Sequence, residues 1–171
     1  MDRREALKSL LVATGTLVVL PSWATSWHKG EIQGVWFSPE QQETLRAITD
    51  TIIPVGNSIG AITVGVDVFL QKLIATCYDK EIQDNVKLQL ENLERLSQRE
   101  AGKSFSNIPK ELREQLLLKL GHSDVTAEKD FFALIKAETI RGFSTSKEVM
   151  TNYLDYKVVP GHYYGCVDVK A

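Results

Sequence analysis

Residues 80–102, Lys80-Glu81-Ile82-Gln83-Asp84-Asn85-Val86-Lys87-Leu88-Gln89-Leu90-Glu91-Asn92-Leu93-Glu94-Arg95-Leu96-Ser97-Gln98-Arg99-Glu100-Ala101-Gly102, carry the pattern that decides the fold. Ile82, Val86, Leu90, Leu93 and Leu96 recur three or four residues apart, so they share one face of an α-helix. The stretch is otherwise highly charged, and Gly102 is a stop that accepts a left-handed backbone. The pattern predicts one amphipathic helix near residues 80–101, whose apolar stripe must be covered by other elements.

Those elements are also helical. Upstream, Ser38-Pro39-Glu40-Gln41 reads as a helix start, with Ser38 as N-cap, Pro39 in the first turn and Gln41 at the capping-box position. Leu45, Ile48, Ile52 and Ile53 follow on one face, and Pro54 ends the run. A glycine-containing loop over 55–62 leads to a stripe of Val66, Phe69, Leu70, Leu73, Ile74 and Cys77. Downstream, Pro109 opens a short helix with Leu112, Leu116, Leu117 and Leu120, closed by Gly121. Thr126 is placed as the cap of a helix carrying Phe131, Phe132, Leu134, Ile135 and Ile140, with Gly142 at its end. Thr145 and Glu148 match a capping box for a last short helix to about Asn152. No strand alternation is present. The expected fold is all-α: a small bundle of five to six helices with an irregular, aromatic C-terminal tail.

The N-terminus does not belong to that bundle. Arg3, Arg4 and Lys8 precede an apolar run from Leu10 to Leu20, Pro21 breaks it, and Ser22-Trp23-Ala24 offers the small residues of a cleavage site. The run is shorter than the ~20 residues that cross a bilayer. Residues 1–24 therefore read as an export signal cleaved after Ala24, 25–36 as a linker and 37–171 as the helical domain. Arg3-Arg4 with Leu7 and Lys8 resembles a twin-arginine signal, although Asp2 and Ala6 depart from it, and the general secretory route stays open. The expected location is the bacterial periplasm or the periplasmic face of the inner membrane.

At 171 residues with 25% charged positions and a net charge of −2, the chain has an ordinary globular composition and no basic excess for nucleic acid. Catalytic motifs are missing. Cys77 and Cys166 cannot form the Cys-x-x-Cys-His of a c-type haem, and Gly56, Gly60 and Gly65 lack dinucleotide spacing. His28, His122 and His162 lack the Glu-x-x-His pattern of a di-iron bundle and any zinc-ligand spacing. His122 reads as a residue at a helix C-terminus, and the pairs Glu91/Glu94 and Asp79/Glu81 as solvated or salt-bridged faces. No catalytic, cofactor-binding or metal-binding residue is assigned.

The C-terminal third carries a resemblance. Phe131-Phe132-Ala133-Leu134, Thr139-Ile140-Arg141-Gly142-Phe143, Ser144-Thr145-Ser146, Tyr156, Val159-Pro160-Gly161, Tyr163 and Gly165-Cys166-Val167 occur in an order similar to the gluconate 2-dehydrogenase subunit 3 family. Phe37-Ser38-Pro39-Glu40 and Ile52-Ile53-Pro54 are similar to its first helix, so the resemblance covers about 37–167. It implies a small accessory subunit, not itself a catalyst, that aids export, maturation and stability of a flavoprotein. That partner is a large subunit of the glucose-methanol-choline type holding FAD, and a cytochrome c with haem often completes such a complex. A free-standing exported helical module is the alternative.

Tyrosines give large contact area at low entropic cost, so Tyr153, Tyr156, Pro160, Gly161, Tyr163, Tyr164 and Cys166 are expected to dock on the partner rather than cap the bundle's own core. Cys77 reads as buried on its helical stripe and Cys166 as accessible. A Cys77–Cys166 bridge, a bridge from Cys166 to the partner and two free thiols all remain open, with the interchain bridge favoured because Cys77 reads as buried.

Overall fold

The computed structural model describes residues 36–56 and 58–157, together with Val159, Gly161, Gly165 and Cys166. The export-signal residues Arg3, Arg4, Leu7, Lys8 and Ala24, most of the linker, and the tail residues Pro160, Tyr163 and Tyr164 lie outside the described residues. Among the described residues there are six α-helices and no strand. They are α1 (Pro39–Ile52), α2 (Val66–Cys77), α3 (Lys80–Ala101), α4 (Lys110–Gly121), α5 (Thr126–Ser144) and α6 (Lys147–Asn152), with a 3₁₀ turn, Phe105–Asn107, between α3 and α4.

Helix α1 begins as its sequence dictates. The Gln41 amide donates to Ser38 Oγ at 3.2 Å, and the Ser38 amide donates to Gln41 Oε1 at 3.0 Å. Two otherwise orphaned N–H groups are thereby satisfied. The helix is more enclosed than a one-face reading expects, because α2, α3, α4, α5 and the 3₁₀ turn all pack on it. Thr44, Ala47, Thr49 and Thr51 are buried beside Leu45 and Ile48. Threonine tolerates this where its hydroxyl finds a local acceptor. Thr49 Oγ1 donates to the Leu45 carbonyl at 2.8 Å, and Thr51 Oγ1 to that of Ala47 at 2.7 Å.

Helix α3 buries Val86, Leu90 and Leu93, and Gly102 terminates it at φ 65°. It also carries a ladder of amides: Asn92 donates to Gln89, Gln89 to Asn85, and Asn85 to the Ala127 carbonyl of α5, at 3.1–3.2 Å. Gln83 closes the end of α2 by donating to the Ile74 and Tyr78 carbonyls at 3.0 and 2.8 Å. Such end carbonyls have no partner within their own helix. Glu94 accepts the Phe105 amide at 3.0 Å, which fixes the turn that inserts Phe105 into the core. Glu91 is held by Gln41 at 3.1 Å, so this carboxylate pair serves structure.

Six readings are corrected. Cys77 is exposed: it is the last residue of α2, and Tyr78, next in the chain, turns inward to pack against the core. Helical periodicity places Cys77 on the inner stripe, but the helix ends there. Thr126 is the first helical residue, behind Val125, and makes no cap. Gly142 lies inside α5, which continues to Ser144. The cap of α6 is Ser146, whose hydroxyl accepts the Val149 amide, while Thr145 Oγ1 donates to the Arg141 carbonyl at the end of α5. Ile140 is also about half exposed, on the outer face of α5. Trp36, read as the last linker residue, packs against the core, with Lys87 Nζ 3.6 Å from its ring centre.

Candidate functional site

The C-terminal end of α5 sets the position of everything after it. Gly142 brings this end against the first turn of α2, where Phe69 and Val66 lie. Ser146 Oγ then donates to the Phe143 carbonyl at 2.8 Å, and α6 buries Val149. Past α6 the chain folds back on itself. The amides of Tyr153 and Leu154 both donate to the Val149 carbonyl, at 3.0 and 3.1 Å, and that of Tyr156 to the Met150 carbonyl at 2.9 Å.

This turn holds its apolar side chains outward. Tyr153, Leu154 and Tyr156 are 58, 59 and 52% exposed, and Val159 81%. Four large apolar side chains in seven residues therefore face solvent, and none belongs to the core cluster. The neighbouring charges, Lys147, Glu148, Asp155 and Lys157, balance one another. Gly161, at φ 80°, and Cys166 are also exposed, so Tyr153, Tyr156, Gly161 and Cys166 of the expected docking set are all on the surface. Leu154 and Val159 lie within the segment expected to dock, although neither was among the named docking residues. The available signal was that neither residue belongs to a helical stripe.

Cys77 sits apart from this turn. It ends α2, whereas the tail departs from the side of α2's first turn. Beside Cys77, Tyr78 Oη donates to Glu138 Oε1 at 2.9 Å, and Arg141 pairs with Glu138 Oε2 at 2.5 Å. Burial, followed by the bond to Glu138, raises the Tyr78 phenol above its ordinary range, so it stays a neutral donor that ties the α2 end to α5. His122 caps the end of α4 and is exposed, its amide donating to the Leu118 carbonyl at 3.0 Å. Among the described residues no three His, Cys, Asp or Glu side chains are grouped as metal ligands, and no helix is long and apolar enough to cross a membrane.

The family profile for gluconate 2-dehydrogenase subunit 3 matches residues 39–161, from the first residue of α1 through the exposed turn. The chain belongs to the gluconate 2-dehydrogenase subunit 3 family. Neither the curated proteins nor the solved structures give a match. Membership in the subunit 3 family implies a component of a gluconate dehydrogenase complex.

Proposed function

We propose that this chain is the non-catalytic small subunit of an FAD-dependent sugar or sugar-acid dehydrogenase complex. In this reading it binds a glucose-methanol-choline type flavoprotein, accompanies it to the periplasm or the periplasmic face of the inner membrane, and stabilises it there. A cytochrome c with haem carries the electrons onward where a third subunit is present. The observation that carries the reading is the row Tyr153, Leu154, Tyr156 and Val159, exposed within a chain of a subunit family. Leaving such surface in water forgoes about 25 cal/mol per Å² of burial, which a partner's apolar socket would recover. The twin-arginine-like leader with Arg3, Arg4, Leu7 and Lys8 supports export, since that route carries folded, cofactor-loaded proteins.

The test is co-expression of the chain with the flavoprotein subunit of the same host. Wild-type chain is expected to co-purify with it. The Tyr153→Ala/Tyr156→Ala variant is expected to bind about ten- to a hundredfold more weakly, the loss typical of truncated aromatic anchors. Dye reduction with gluconate should follow the flavoprotein and be absent from the small chain alone. Equal binding by the double variant, or turnover by the isolated chain, would overturn the reading.

Cys166 belongs to the docking segment in this reading. With Cys77 exposed, burial no longer argues against an intrachain bridge, and both thiols are free in the structure. The bridge between Cys166 and the flavoprotein follows in this reading from the place of Cys166 in the docking segment. The purified complex is expected to shift on a gel when reduced, with Cys166→Ser abolishing the shift and Cys77→Ser preserving it. Identical mobility with and without reductant would sink the interchain bridge.

A further inference from the structure

Asp155 is the only non-glycine residue with positive φ among the described residues, at 47°. The left-handed region crowds a Cβ atom, and aspartate tolerates it better than most residues. The position matters because Asp155 separates Leu154 from Tyr156, and the backbone reverses there. The Leu154 amide reaches back to the Val149 carbonyl at 3.1 Å and the Tyr156 amide to the Met150 carbonyl at 2.9 Å. Both bonds close on the same turn of α6, so the left-handed step at 155 brings the Tyr156 backbone back to the end of α6. Without it the chain would run on, and Tyr156 would leave the row.

We infer that Asp155 is the positioning residue of a preformed docking hook, on which Tyr153, Leu154 and Tyr156 enter an apolar socket of the flavoprotein subunit together. This rests on the docking role proposed above. A hook already held by three backbone hydrogen bonds loses less conformational freedom on binding than a disordered tail, which favours affinity. The balanced charges around it, Lys147 with Glu148 and Asp155 with Lys157, supply no net attraction to an anionic lipid surface. A protein socket, rather than a membrane, is the partner this chemistry fits.

The experiment compares Asp155→Gly, Asp155→Asn and Asp155→Val in the full mature chain, titrated against the purified flavoprotein subunit. Anionic phosphatidylglycerol vesicles serve as the second arm. Glycine and asparagine accept φ near 47°, whereas a β-branched side chain does not. Asp155→Gly and Asp155→Asn are expected to keep the dissociation constant within about threefold of wild type, and Asp155→Val to raise it about tenfold. The melting temperature of all three should match wild type, since residues 151–157 are exposed and contribute nothing to the core. Amide exchange at Tyr156 should accelerate in the valine variant alone. Wild-type binding by Asp155→Val, equal losses in all three variants, or binding to vesicles in place of the flavoprotein would overturn the inference. Wild-type binding by the Tyr153→Ala/Tyr156→Ala variant would instead remove the docking role beneath it.

Discussion

Phe105→Ala is expected to destabilise the mature chain by about 3–5 kcal/mol, the range for deleting a buried phenylalanine ring. For a domain of this size that lowers the melting temperature by roughly 10–20 °C, measurable by circular dichroism. Phe105 is 0% exposed, although it lies in a three-residue 3₁₀ turn between two helices. The turn packs on both α1 and α3, so the ring fills the space where α3 hands the chain to α4. Its backbone is fixed from two sides. Glu94 Oε2 accepts the Phe105 amide at 3.0 Å, and Ser97 Oγ donates to the Lys103 carbonyl at 2.8 Å. A turn held this firmly cannot collapse into the vacated volume, which places the cost toward the upper end. A fall below about 3 °C would mean that the ring is not part of the core.

Phe105 also marks the limit of what the sequence disclosed. The face of α3 was legible because its apolar residues repeat over about four turns, from Ile82 to Leu96, and no other structure suits that period. The start of α1 was legible because capping is local chemistry: Ser38, Pro39 and Gln41 determine it without help from the rest of the chain. A single phenylalanine among serines and asparagine has no period, so nothing but its neighbours in space assigns it to the core. Cys77 fails for the opposite reason. The period was right, but the inner stripe ends where the helix does, and Tyr78 takes the place beneath it. Of the candidate docking residues, Tyr153 and Tyr156 could be chosen from their aromatic character and the resemblance, although Phe105 shows that lying outside a helical pattern does not by itself keep an aromatic ring from the core. Asp155 could not, because a left-handed step is a property of the whole turn.

Gly142 was read as a stop, and the alternative has the opposite sign in experiment. A Cβ built on Gly142 would lie 2.7 Å from Cδ1 and 2.9 Å from Cε1 of Phe69, and 3.2 Å from Cγ1 of Val66. If Gly142 merely occupied a helix interior, Gly142→Ala would stabilise the protein by about 1 kcal/mol through helix propensity. Overpacking a close helix contact costs about 1–3 kcal/mol, so the net effect expected here is destabilising. Gly142→Leu cannot be absorbed by a ring rotation, since its branch must enter the space held by both Phe69 and Val66. A loss of about 3 kcal/mol or more is expected, with α5 displaced from α2. The damage should not stay local. Helix α6 is fastened to this end of α5 through Ser146, and the exposed turn is fastened to α6, so binding of the proposed flavoprotein partner should weaken as well. A double-mutant cycle isolates the cause. Phe69→Ala makes room opposite Gly142, so the Phe69→Ala/Gly142→Ala pair should lose less stability than the two single changes added together, by about 1 kcal/mol. Strict additivity, or a stabilising Gly142→Ala, would show that the helices do not meet at this glycine.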